Sequence, residues 1–113
     1  MKKFTNINEA NSKKYMNKSQ LYLLSIPYAM YKEYGQYKED WESLRKDDIQ
    51  DLEDTQKFLD SMTEDERVRF PYKKMPVYFQ YGIKKICEIC LKHQEDYDKL
   101  DIRLFKEILN EIS

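Results

Sequence analysis

Glycine, proline, cysteine and histidine are scarce in this 113-residue chain, which has two, three, two and one of them respectively. Gly35 and Gly82 stand 47 residues apart, so neither a P-loop nor a G-x-G-x-x-G dinucleotide fingerprint can be written. Long apolar runs are missing too, and without about 20 consecutive apolar residues no transmembrane span is expected. The first residues, Met1 to Asn6, run into Asn, Ser and Lys and form no apolar signal stretch. With only Cys87 and Cys90 available, a disulfide framework is not expected either, and a reduced, cytoplasmic protein is the expectation.

The two cysteines are separated by two residues, with His93 three further on, a pattern that invites a metal or redox reading. A structural zinc needs four ligands, commonly two separated pairs, and this chain has one pair and one histidine. Haem attachment fails because Leu91 follows Cys90, and a thioredoxin-like motif would need a βαβ setting that is not apparent. The reading adopted is that both cysteines are small apolar groups on a buried helix face, with no metal and no cofactor. A single histidine with no signal for an oxyanion hole gives little support for acid-base or nucleophilic catalysis, so a non-enzymatic protein is expected.

What the chain does have is helical periodicity. Residues 1–17 are polar and Lys-rich and read as a flexible arm; residues 18–113 read as a single helical domain. From a cap at Asn17 or Ser19, Leu21, Leu24, Tyr28 and Tyr31 recur at three and four, interrupted by Pro27, which implies a kink or a fresh start. A second stretch, about Lys38 to Met62, puts Trp41, Leu44, Ile49, Leu52, Leu59 and Met62 on one broad stripe, with Phe58 beside it. Thr63 and Glu66 have the form of a capping box for a short third helix that stops before Pro71. Pro76 should open a helix to about Glu95, in which Phe79, Gly82 or Ile83, Ile86, Cys90 and His93 step at three and four, although Val77 to Tyr81 also has strand character. Asp98 should cap the last helix, with Leu104, Phe105, Ile108, Leu109 and Ile112 on its apolar face. Together these predict an all-α fold, a compact bundle of four to five helices with a polar N-terminal arm.

Two features bear on function. Ten tyrosines are a surplus, and Tyr28, Tyr31, Tyr34 and Tyr37 fall every third residue before Trp41. Each three-residue step slips back by about 60° on an ideal helix, so four such rings cannot all face one core. Tyr31, Tyr34, Tyr37 and Trp41 are therefore candidates for a protein-binding surface, the alternative being rings half-buried with their hydroxyls in water.

Charge is the other. The net charge of −1 conceals +5 over residues 1–38, −9 over 39–66, +6 over 67–93 and −3 over 94–113. Asp47, Asp48, Asp51 and Asp54 crowd one helix, where like charges at helical spacing repel by about 0.2–0.5 kcal/mol per pair. Compensation would come from the chain's own Arg67, Arg69, Lys73, Lys74, Lys84 and Lys85, or from a basic groove on a partner; a plainly solvated face is the third option. The same six cations, interleaved with Phe70, Tyr72, Tyr78 and Tyr81, are also the mixture that tracks nucleic acid.

The leading expectation is thus a small protein-binding regulator or inhibitor acting on a nucleic-acid-handling protein. Its Lys-rich, AT-rich style suits a phage or mobile element. The alternative is a nucleic-acid-binding module led by residues 67–85. A homodimer that pairs the acidic block of one copy with the basic block of the other is compatible with either.

Overall fold

A computed structural model describes residues 15–112, and over that range the chain is all-α apart from one short ribbon. Its elements are β1 (Tyr15–Asn17), α1 (Lys18–Leu24), α2 (Pro27–Tyr34), α3 (Lys38–Glu42), α4 (Lys46–Ser61) and α5 (Glu64–Val68). They continue with β2 (Arg69–Pro71), a 3-10 turn (Tyr72–Lys74), α6 (Val77–Lys92), a second 3-10 turn (Gln94–Asp96) and α7 (Lys99–Ile112). Of the expected N-terminal arm, residues 1–14 lie outside the described residues. Its last three residues are strand β1, antiparallel to β2 with Met16 opposite Phe70.

That ribbon was not expected, and its cause is local amphipathy. Met16 and Phe70 both point inward and are buried, while on the other face the Arg69 guanidinium lies 4.5 Å from the centre of the Tyr15 ring. Tyr15 and Arg69 are diagonal neighbours on the ladder, within reach for side chains of that length.

Where each helix starts follows from its caps. Asn17 closes a reciprocal box on α1, accepting from the Gln20 amide at 2.9 Å while the Gln20 side chain accepts from the Asn17 amide at 3.0 Å. Pro27 makes a break and not a kink: α1 ends at Leu24, and the proline becomes the first residue of α2, where its missing N–H has no consequence. Thr63 and Glu66 form the expected capping box on α5. Asp98 accepts from the Asp101 amide at 2.9 Å at the head of α7. The segment with strand character, Val77 to Tyr81, is helical; α6 buries Phe79, Ile83, Ile86 and Cys90 at steps of three and four.

The stretch expected as one helix from Lys38 to Met62 is in fact two. The Ser43 hydroxyl donates to the Asp40 carbonyl at 2.9 Å, a local bond that competes with helix continuation. Arg45 is extended (φ −69°, ψ 156°), and α4 restarts with Asp47 and Asp48 in its first turn, where the N-terminal partial positive charge favours them.

The core is built around α4 and α6, which meet at Gly82. A Cβ there would come within 2.7 Å of the Thr55 Cβ and closer still to its hydroxyl, and within 3.2 Å of the Asp51 carbonyl, so only glycine lets these backbones approach so closely. Thr55 is fully buried, and its hydroxyl donates to the Tyr78 carbonyl at 3.3 Å. One turn along, Phe58 packs against Phe79 with centroids 5.0 Å apart and against Phe70 at 5.6 Å. Helix α7 covers the other side of the core through the fully buried Phe105 and Ile108. Each such side chain contributes roughly 1.5–3 kcal/mol by leaving water.

Candidate functional site

The acidic helix α4 presents two different kinds of carboxylate. Glu53 accepts from the Tyr28 hydroxyl at 2.8 Å and from Lys32 at 2.7 Å, and these partners, Lys32 first, hold its carboxyl below the ordinary value. Asp47, Asp51 and Asp54 follow at steps of four and three along a separate stripe. No cation among the described residues lies within ion-pair distance of any of them. Asp54 accepts from the Gln50 side chain at 3.1 Å. Asp51 is pushed above its ordinary value, first by partial burial and then by the charges of Asp48, Asp54 and Asp47. Asp48 is turned toward Arg45, with 3.7 Å between the charged atoms.

Of the six cations expected to neutralise this helix from within, none makes an ion pair with its carboxylates among the described residues, and Arg67 reaches the helix at a backbone carbonyl near its C-terminal end. Arg67 donates to the Leu59 carbonyl at 2.5 Å and covers the Tyr22 ring at 4.8 Å. Arg69 sits on Tyr15, and Lys85 pairs with Glu88 of its own helix at 3.8 Å. Lys73, Lys74 and Lys84 are exposed and make no ion pair among the described residues. Arg69 and Lys74 share a hollow of about 320 Å³ floored by Phe58, Met62, Phe70 and Pro71, and this is where the basic-aromatic segment presents a concave face.

The aromatic row is largely drawn inward, a correction to the surface expected from its spacing. Trp41 is 1% exposed, edge-on to Tyr28 at 5.3 Å, so it cannot touch a partner while the core is closed. Tyr31 lies against Trp41 at 6.1 Å and donates to Glu42 at 2.9 Å. Tyr37 stacks on His93, with centroids 3.9 Å apart and planes 6° apart. Only Tyr34 stands well out, at 70% exposure. The reason is the turn after α2. Gly35 (φ 72°) ends that helix in the left-handed region and Tyr37 (φ 56°) adopts it too, so the tyrosines are not on one helix and the chain folds Tyr37 and Trp41 back.

That turn builds a polar junction the sequence did not reveal. Asp40 meets His93 Nε2 at 2.5 Å and also pairs with Lys92; Lys92 first, and then His93, hold its carboxyl below the ordinary value. The Tyr37 hydroxyl donates to Asp96 at 2.5 Å. More than fifty residues separate the two halves, and neither carries a recognisable motif.

Cys87 and Cys90 are free and fully buried on α6, as the apolar reading expects. Burial raises both thiols, Cys90 to about 11 even though a hydrogen bond from the Tyr97 hydroxyl at 3.4 Å pulls the other way. A thiol so strongly held in its protonated form is a poor nucleophile and a poor ligand.

Fold and surface together define a small all-α protein whose most prominent unsatisfied feature is an acidic helix face. In comparisons with protein-family models, curated proteins and solved structures, the chain matches none. No helix among the described residues is long and apolar enough to cross a membrane.

Proposed function

We infer that this is a non-enzymatic, cytoplasmic protein-binding regulator or inhibitor that offers the Asp47, Asp51 and Asp54 stripe of α4 to a basic groove on another protein. The observation that carries the reading is the lack of any cation on that stripe among the described residues, with Asp51 raised first by partial burial and then by the charges of Asp48, Asp54 and Asp47. Repulsion of this kind is relieved when a basic surface docks, and such surfaces are typical of proteins that handle nucleic acid. A regulator of that sort suits a phage or mobile element.

The test is affinity capture from the native host with the wild-type chain, a chain carrying Asp51→Lys and Asp54→Lys, and one carrying Lys73→Ala and Lys74→Ala. Circular dichroism should show all three folded. A partner held by the wild type and the lysine-depleted chain, released by salt and lost from the charge-reversed chain supports the reading. Equal capture by the charge-reversed chain contradicts it. Retention of labelled DNA at low salt, lost on Lys73→Ala and Lys74→Ala, would move the function to the hollow beside Arg69.

A further inference from the structure

We propose that the junction at the end of α6 is a binding site for one zinc-class divalent cation, held by His93, Glu95 and Asp96. Donor atoms of these three residues lie within 4.8 Å of one another. A zinc ion with bonds of about 2.0–2.2 Å to nitrogen and oxygen draws its donors to roughly 3.4 Å apart. Glu95 and Asp96 are exposed on a 3-10 turn, and closing that gap takes rotation of both side chains, with Asp96 turning about the carboxylate oxygen that accepts from Tyr37.

Groups outside the triad set this cluster apart from an ordinary acidic patch. Asp40, which comes from α3, occupies His93 Nε2. A carboxylate on one ring nitrogen directs the lone pair to the other, so Nδ1 is left as the donor; this is the carboxylate–histidine–metal arrangement of natural sites. Tyr37 fixes the imidazole plane by stacking and, through its hydroxyl, holds the Asp96 carboxylate. The two partners come from the first turn of α3 and from the residue that precedes it, Tyr37, which takes a left-handed conformation that is unfavourable for a non-glycine residue. One imidazole and two carboxylates, completed by water, favour a borderline cation such as zinc over magnesium, which prefers oxygen and keeps its waters. An ion there would fasten the turn after α6 and hold it against α3.

The test is calorimetric titration of metal-stripped protein at pH 7 with zinc chloride, with magnesium chloride as the control. One equivalent of zinc, no saturation by magnesium and a melting temperature that rises with zinc are expected. His93→Gln should abolish binding. Glu95→Gln, an exposed change that leaves packing intact, should weaken it at least tenfold. Asp40→Asn, which leaves all three donors in place, should weaken it roughly 10–100-fold through loss of histidine orientation. No heat up to millimolar zinc would overturn the proposal. So would binding that survives His93→Gln and Glu95→Gln, or binding that disappears only when Cys87 and Cys90 are replaced.

Discussion

The two sides of α4 are governed by different physics. Its inner side, with Leu52, Thr55 and Leu59 buried, is closed so tightly on α6 that Gly82 has no room for a methyl group. Glu53, beside it, is held by Lys32 and Tyr28 and kept easily ionised. The stripe of Asp47, Asp51 and Asp54 has no such cation among the described residues, and Asp51, half-buried, resists ionisation. One helix thus carries both a satisfied and an unsatisfied carboxylate set. What separates them is that α2 brings Lys32 and Tyr28 to Glu53, while Asp51 is partly buried among like charges.

The most damaging way to disturb the tight side is Gly82→Ala. Overpacking of this kind costs about 1–3 kcal/mol, so the urea midpoint should fall clearly. Adding Thr55→Ala removes the hydroxyl that the new methyl group meets first, leaving the Thr55 Cβ contact at 2.7 Å, and should recover part of the loss. A neutral Gly82→Ala would mean that α4 and α6 are farther apart than described.

Gly82 also shows where sequence reading falls short. It counted against a phosphate loop, but its role is a helix crossing, which no local pattern encodes. Features that depend on neighbours three or four residues away were legible: the caps at Asn17, Thr63 and Asp98, the apolar face of α7, and the burial of Cys87 and Cys90. The β1–β2 ribbon and the Asp40–His93 contact were not, because each joins residues more than fifty positions apart. The burial of Trp41 fits its place on the apolar stripe of the second helical stretch and not its place among the interface candidates. Spacing arguments assume one continuous helix, and Gly35 and Tyr37 interrupt it. For the candidate interaction surface, composition located the acidic block but left open whether the chain's own cations neutralise it.

Glu53→Gln should weaken the satisfied carboxylate set by about 1 kcal/mol at neutral pH, since it removes the Lys32 ion pair and a charged acceptor for Tyr28. Because the folded-state value of Glu53 is lowered, its contribution is present above the ordinary carboxylate range and is lost as pH falls through the lowered value. Denaturation curves of wild type and Glu53→Gln should therefore converge on acidification, and curves that stay parallel would remove this assignment.

Asp51→Asn should have the opposite sign. Removing the Asp51 charge relieves its repulsion with Asp48, Asp54 and Asp47, a gain of about 0.2–0.5 kcal/mol per pair at low salt that should shrink as salt screens it. Asp51 is raised in the folded state, so its ionisation costs stability as pH climbs from the unfolded value through the folded one, and the variant should escape that loss. Urea unfolding at two salt concentrations reads this; a destabilised Asp51→Asn would show that the carboxylate has a partner within the chain.

The most direct test of an aspartate stripe left uncompensated by its own chain is a carbon-detected NMR titration of the side-chain carboxyls. Asp51 should titrate above its ordinary value of 3.8 and drift back toward it with added salt, while Glu53 titrates below 4.5. An Asp51 midpoint at or below 3.8, insensitive to salt, would mean that the chain already supplies the missing cation, and the case for a basic partner on this face would be lost.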